Sequence, residues 1–446
     1  MKRILLIFVM GIMLQSFSYG QGCLPNGIHF GTQAEIDNFP SNYPGCTIIE
    51  GDVEIYEMGG MITNLDSLIV LTEIHGALRI GGFPVMYLPL QNLTSLNGLN
   101  NLTSIDSSLF IGTTKLSNLN GLEQLTSIGG NLTIGIEAWV SAGNGLLEDI
   151  SALSNLSSIG GSLTIEHNNS LVTLTGLEGL TTVGGSIFIG ENYSLVSLDG
   201  LDNLTTIMGG LFIGNDGMFS LPNPSLVSIS GLNGLTSIGE DLIIFSDSLI
   251  SLTGLEGLTN IPGGLEIGAK YNLINLTGLN NLSDIGGYLF IAGNDVLTSL
   301  TGLENLSSIG DDLYIQSNPL LSTCAISGIC DYLDNPNGTI YINNNATGCN
   351  SEQEIDSLCN IPGSIFENDY HHYLQIVPNP ANSFIEITNE HNLKITRVNI
   401  YNQLGQMLIE REAADSLIDI SRLSTGIYFV EIVTDSWKVR KKLVVN

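Results

Sequence analysis

Leu171, Leu174, Leu177, Leu180 and Val183 step along the chain by three, and after Gly184-Gly185 the pattern changes to the alternation Ile187-Phe188-Ile189. An α-helix turns by ~100° per residue, so a three-residue step drifts by ~60° and no single helical face collects all five. Gly176 and Gly179 weaken a helix further. The spacing predicts a chain that turns around a shared core and sends one aliphatic side chain inward at each corner. Ile187-Phe188-Ile189 reads as a short strand, with its isoleucines inward and Phe188 outward.

The pattern recurs. The element I-x-x-x-L-x-I begins at Ile74, Ile105, Ile128, Ile159, Val183, Ile207, Ile238, Ile261, Ile285 and Ile309. Ile49 opens a leading copy with Val53 and Ile55, and a divergent last copy ends in Ile340-Tyr341-Ile342. The basic period is about 24 residues, as in repeat architectures. Three copies carry extra residues, all just after L-x-I, at Gly81–Gln91, Gly135–Gly145 and Gly214–Pro224. Insertions at one place in a repeat map to one edge of a solenoid. The fold predicted is mostly β: a right-handed solenoid of ~24-residue coils whose strands stack into a parallel sheet, roughly 55–60 Å long for twelve coils at ~4.8 Å.

Solenoid ends need caps, and the cysteines lie where caps belong. Cys23 and Cys46 bracket the entry, and Cys324, Cys330, Cys349 and Cys359 cover the exit, where CAISGICDYL reads as a short helix. An even number of cysteines in an exported chain reads as disulfides; the last four allow three pairings. No C-x-x-C supports zinc. Export itself is predicted by Lys2 and Arg3, the apolar run Ile4–Leu14 and the small residues Ser18 and Gly20 before a cut ahead of Gln21. No later run is long enough to span a membrane as a helix. The organisation predicted is a signal peptide over 1–20, an N-terminal cap over 21–48, the solenoid over 49–322, a cysteine-rich cap over 323–360, a linker over 361–375 and a small β-sandwich over 376–446.

Charge divides the chain. Residues 21–375 contain three basic residues (Arg79, Lys115, Lys270) against 36 Asp and Glu, whereas residues 376–446 hold eight of each. The large part, near −33, repels nucleic acid and anionic lipid, which removes both from the expected partners.

Two stretches carry resemblances. The entry GCLPNGIHFGTQAEIDNFPSNYPGCTIIEGDVEI, followed by the leucine coils, resembles the receptor L-domain family, a leucine-rich-repeat-like solenoid also found in receptor ectodomains. The likeness spans about Cys23 to Asn360 and implies fold; the extra coils prevent any transfer of ligand residues. In the tail, Pro378-Asn379-Pro380, the segment Tyr401–Gln406 with Gly405, the segment Leu423–Phe429 with Gly426 and Tyr428, and the closing Lys441-Lys442-Leu443 resemble the type A C-terminal sorting domain of Bacteroidetes type IX secretion. That resemblance implies the type IX machinery as a partner, and a protein released or held at the outer-membrane surface.

Catalytic motifs are missing. The chain has no H-E-x-x-H, no G-x-S-x-G and no phosphate loop after its many Gly-Gly pairs, which read as turn geometry. His371-His372 reads as a solvated pair in a linker, and His167 lies just past a strand. Asn215-Asp216 and Asn294-Asp295 could offer oxygens to calcium, but Asn-Asp is common in turns. Glu240, Asp241 and Glu266 on neighbouring coils are the carboxylates a glycosidase reading would use. No cofactor is expected, and the chain is expected not to be an enzyme.

The outward strand position is more informative. Down the coils it reads Glu54, Arg79, Phe110, Thr133, Thr164, Phe188, Phe212, Ile243, Glu266, Phe290, Tyr314 and Tyr341, with Phe245 and Tyr288 in adjoining columns. Coil spacing brings successive members into contact, predicting one cluster of Phe188, Phe212, Ile243 and Phe245 and another of Tyr288, Phe290, Tyr314 and Tyr341. Aromatic residues favour strands in any case, but a contiguous exposed apolar patch needs a reason. The expectation is a secreted or surface binding protein with a protein or glycan ligand on this sheet. The alternatives are a secreted hydrolase of polysaccharide or peptide, and a structural surface component.

Overall fold

The computed structural model describes residues 21–57, 61–81, 90–112, 114–135, 143–214, 222–268, 271–359, 374–389, 394–402, 406–412, 417–434 and 438–446. The signal segment, most of each insertion, the linker over 361–373, Asn215-Asp216, His371, His372 and Gly405 lie outside them.

The leucine-rich part is a β-solenoid. A thirteen-stranded parallel sheet takes one strand from each coil in chain order, from Ile28–Phe30 to Ile340–Asn343. Its register is constant: Leu163 pairs with Ile187 and Ile187 with Leu211, while Thr164 pairs with Phe188 and Phe188 with Phe212. The sheet has one rung more than the twelve copies counted in the sequence, because Ile28-His29-Phe30 of the N-terminal cap pairs as the first, with His29 opposite Glu54. On an adjoining side of the coil the short strands, such as Thr182–Val183, form a nine-stranded sheet and then a three-stranded one through Asn260–Ile261, Asp284–Ile285 and Ser308–Ile309.

Every leucine of the three-residue step is inside. Leu171, Leu174, Leu177, Leu180 and Val183 have no exposed surface, nor do their counterparts two coils on, from Leu226 to Leu235. Each buried aliphatic side chain contributes about 1.5–3 kcal/mol against exposure, so the stacked ladders hold the rod together. Glycine makes the stacking tight. Gly176 has φ +117°, and a Cβ there would lie 2.7 Å from the Ile150 carbonyl carbon. The Gly-Gly pairs differ from the expectation of turn geometry. Gly184 has no left-handed φ, but its Cβ would lie 2.8 Å from the carbonyl carbon of Gly160 in the preceding coil. These glycines are needed because coils approach closely, not because the turn is left-handed.

A column of buried asparagines follows the long sheet. The Asn192 amide nitrogen donates to the carbonyls of Ile165 (2.8 Å) and Gly190 (2.9 Å) and to Asn223 Oδ1 (3.2 Å). Its Oδ1 accepts from the Asn168 backbone N–H at 3.1 Å and the Asn168 amide at 3.2 Å. Asn144, Asn168, Asn192 and Asn223 form one run, and Asn294, Asn318 and Asn345 form another. Asn294, read above as a turn or calcium position, belongs to this ladder and is fully buried.

The caps form as expected. Cys23 pairs with Cys46, and of the three exit pairings the fold contains Cys324–Cys349 and Cys330–Cys359. The expected exit helix spans Ser327–Asp334, and a second helix, Glu352–Cys359, packs with it.

The tail consists of two antiparallel sheets. Leu374–Val377, Phe384–Asn389 and Leu417–Asp419 form one; Met407–Glu412, Ile395–Tyr401, Gly426–Thr434 and Lys438–Val445 form the other. Ile376, Ile385, Ile387 and Ile418 from the first and Val398, Ile400, Val430, Ile432 and Leu443 from the second share one core, which is the expected sandwich. The motif residues tie its ends together. Asn379 donates to the Lys442 carbonyl (2.8 Å) and accepts from the Val444 N–H (2.9 Å). Tyr428 is buried and donates to the Ser424 carbonyl at 2.8 Å. Gly426 pairs with Val445, and Lys441 and Lys442 lie opposite Val430 and Phe429.

Candidate binding face

The outward side of the long sheet is three residues wide in each coil. The first position is polar and structural. Ser108, Asn131, Ser162 and Ser186 each accept, through the side chain, a backbone N–H of the next coil at 2.8–3.1 Å. Asp241 does the same for Gly264 at 2.6 Å.

The middle position is the predicted column, and the register brings its members together. The Phe188 and Phe212 rings stack with centroids 4.7 Å apart and planes 8° from parallel. Phe290 meets Tyr314 at 5.6 Å, and Tyr314 meets Tyr341 at 6.3 Å, both tilted. Phe188, Phe212, Phe290 and Tyr314 are half-buried, and Tyr341, on the last rung, is 50% exposed. Offset or tilted rings at these distances add about 0.5–1.5 kcal/mol per pair beyond area burial.

Three members of the column do not face water as expected. Ile243 is only 6% exposed, and Phe110 and Thr133 are buried as well. Ile243 lies between Phe212 and Glu266 in register, with Phe245 two residues along its own strand. It is therefore a floor beneath its neighbours, not a contact residue. The neighbouring rings lean over glycines: a Cβ on Gly210 would strike the Phe212 ring, one on Gly268 the Phe245 ring and one on Gly264 the Tyr288 ring. Aromatic side chains lying across glycine gaps cover backbone that would otherwise be wet.

Glu266 joins the two clusters, between Ile243 and Phe290. Tyr288 donates to its Oε2 at 3.4 Å. Burial pushes the Glu266 carboxyl above its ordinary range; the Tyr288 bond opposes this and the Asp241 charge adds to it. Burial first, then the Glu266 and Asp241 charges, push the Tyr288 hydroxyl up to about 12. Tyr314 donates to Asp312 at 3.0 Å. Glu240 is exposed on the turn before Asp241.

At the other end of the column, the sequence reading overlooked His29. Its ring stacks on Tyr56 at 3.8 Å. The signal was present, since Ile28-His29-Phe30 has the same in-out-in form as L-x-I. The Arg79 guanidinium sits 5.1 Å from the Phe110 ring centre. His167 Nε2 lies 3.0 Å from Glu191 Oε2, while its buried Nδ1 has no hydrogen-bond partner among the described residues. Among the described residues no group of three His, Cys, Asp or Glu is placed to hold a metal ion, and no helix is long and apolar enough to cross a membrane.

The BspA type leucine rich repeat region matches in six copies over residues 86–218 and 217–321, more than half of the chain. The chain belongs to this family. The BspA-type repeat is the leucine coil described above, and it carries the aromatic column from Phe110 to Tyr314 on its outward strands. Residues 375–446 match the secretion system C-terminal sorting domain. The BspA-type solenoid is thus the cargo of a type IX sorting signal, and the protein is secreted or attached at the outer-membrane surface. No curated protein matches the chain.

Proposed function

We propose that the BspA-type solenoid is a non-catalytic binding or adhesion module that takes a protein or glycan ligand on the outward face of its long sheet. The observation that carries this reading is the in-register, part-exposed aromatic column, above all the stacked Phe188–Phe212 pair and the Phe290–Tyr314–Tyr341 run. Aromatic residues on a rigid scaffold lose little entropy on binding and dominate protein hot spots, and their faces also suit sugar rings. The sorting domain supports the reading by placing this face outside the cell. The test applies the full mature chain to glycan and host-protein arrays, as wild type and as the Phe188→Ser/Phe212→Ser double variant. The variant should lose at least about tenfold in affinity with a small change in melting temperature. Binding that survives the double substitution would overturn the reading.

One observation favours a hydrolase as the second reading. Glu266 has a raised pKa beside Asp241, as a general acid would. Against it, Asp241 Oδ1 is engaged by the Gly264 N–H, and both residues lie on a sheet face. Release of reducing ends or peptides by the wild type, abolished by Glu266→Gln, would establish it.

A further inference from the structure

Glu266 and Gly268 are outward positions of the strand Leu265–Gly268, and Gly264 stands just before it as the third. The two glycines leave gaps on either side of Glu266, and rings from neighbouring coils fill them. Tyr288 of the next coil covers Gly264, and Phe245 of the preceding coil covers Gly268. Along the column Glu266 is bounded by Ile243 and Phe290. Glu266 therefore stands in a frame of three aromatic rings and one isoleucine, with the Asp241 carboxylate nearby on the Gly264 N–H.

The same face contains an occupied version of this arrangement. Glu54, Arg79 and Phe110 lie on three consecutive rungs, and the Arg79 guanidinium packs over the Phe110 ring. Carboxylate, cation and ring thus follow one another at coil spacing. At Glu266 the carboxylate and the ring are present, and neither adjoining rung offers a cation. Arg79 and Lys115 are the basic residues among the described residues of the solenoid and its caps, and Lys270 lies outside them.

We infer that the Glu266 frame seats an arginine or lysine side chain of a partner protein. The inference rests on the binding reading above and narrows its ligand to a basic, partly apolar protein segment. Three lines converge. A cation over an aromatic face gains about 0.5–2 kcal/mol, more as water is excluded. A half-buried carboxylate disfavours its own charge, which the raised Glu266 pKa records, and an incoming cation would relieve that cost. The surrounding chain, near −33 over residues 21–375, attracts basic partners over a Debye length and speeds encounter.

The experiment uses the labelled full mature chain on an array of random 15-residue peptides at physiological salt. Captured peptides should be enriched in Arg or Lys next to aliphatic or aromatic residues. Glu266→Gln should weaken their capture by at least about tenfold. Glu240→Gln, which removes an exposed charge one coil away, should leave capture nearly unchanged. Equal losses in the two variants would reduce the effect to bulk charge and overturn the inference. Capture without basic enrichment, no capture, or binding confined to a glycan array would overturn it too. The broader sheet reading fails separately, when capture is indifferent to the Phe188→Ser/Phe212→Ser double substitution.

Discussion

Replacing Asn192 by leucine should be among the most damaging single changes available in the coil. The two side chains have similar size, so the substitution leaves little room for a rescuing water. Asn192 is fully buried and makes five side-chain hydrogen bonds. The Asn168 amide keeps its bonds to the carbonyls of Ile134 and Glu166. The Asn168 backbone N–H loses its side-chain acceptor inside the protein. An orphaned buried donor costs about 1–3 kcal/mol, and the remaining bonds are worth about 1 kcal/mol each. With the bonds to Ile165, Gly190 and Asn223 as the three remaining ones, the sum predicts a loss of about 4–6 kcal/mol. The control is Asn203→Leu, where an exposed amide donates to the Glu178 carbonyl at 2.8 Å and the loss should stay within about 1 kcal/mol. Urea unfolding followed by circular dichroism would measure both. Coils of a solenoid unfold in coupled but local steps, so hydrogen exchange at the flanking coils would localise the effect. Equal midpoints for the two variants would refute the view that the ladder stabilises the rod.

Two further outcomes follow from the same packing. Gly184→Ala should destabilise strongly, because its Cβ meets the Gly160 backbone, whereas Gly145→Ala, with open space around it, should be nearly neutral; expression and thermal melting of the pair would show whether coil approach or turn flexibility explains the glycines. Glu266→Gln should raise thermal stability at pH 7. The folded-state carboxyl is raised by burial, so its charge opposes folding above that range, and the advantage of glutamine should vanish as the pH falls through it; an unchanged difference across pH 4–7 would contradict the assignment of burial as the cause.

What could be read from the sequence was what repeats with the coil. The leucine step, the L-x-I strand and the outward column follow from spacing alone, because a one-dimensional stack fixes the neighbours of each residue as its counterparts one coil away. Depth was harder to read. Ile243 shares its column with Phe188, yet it is buried, because its exposure depends on how far the rings of Phe212 and Phe245 lean, and side-chain lean has no period. Asn294 was also misjudged in kind, and Asn192 was not singled out. As part of an Asn-Asp turn Asn294 read as local, whereas both asparagines bond to the coils before and after. The recurrence of Asn three residues beyond Ile165, Ile189, Ile291, Ile315 and Ile342 was the available signal, and the insertion before Asn223 and the break at Ser246 obscured it.

The division of labour within one coil bears on where ligand specificity can reside. Corner leucines, approach glycines and ladder asparagines are each constrained by the coils above and below, so changing one disturbs three coils. The first outward position is also committed, since Ser186 and Asp241 hold backbone N–H groups of the next coil. At Phe188, Phe212 and Phe290 the middle outward position carries a side chain without a hydrogen-bonding group, so it makes no backbone bond of this kind. It holds Arg79, Thr164, Phe188, Glu266 and Tyr341 on one unbroken register. Where this position is part-exposed, polar residues would be expected on a solvated face. That it instead stacks Phe188 on Phe212, and sets one carboxylate among rings, is what a face shaped by a ligand would look like; the array experiments on Phe188, Phe212 and Glu266 test that inference at the three residues where it is strongest.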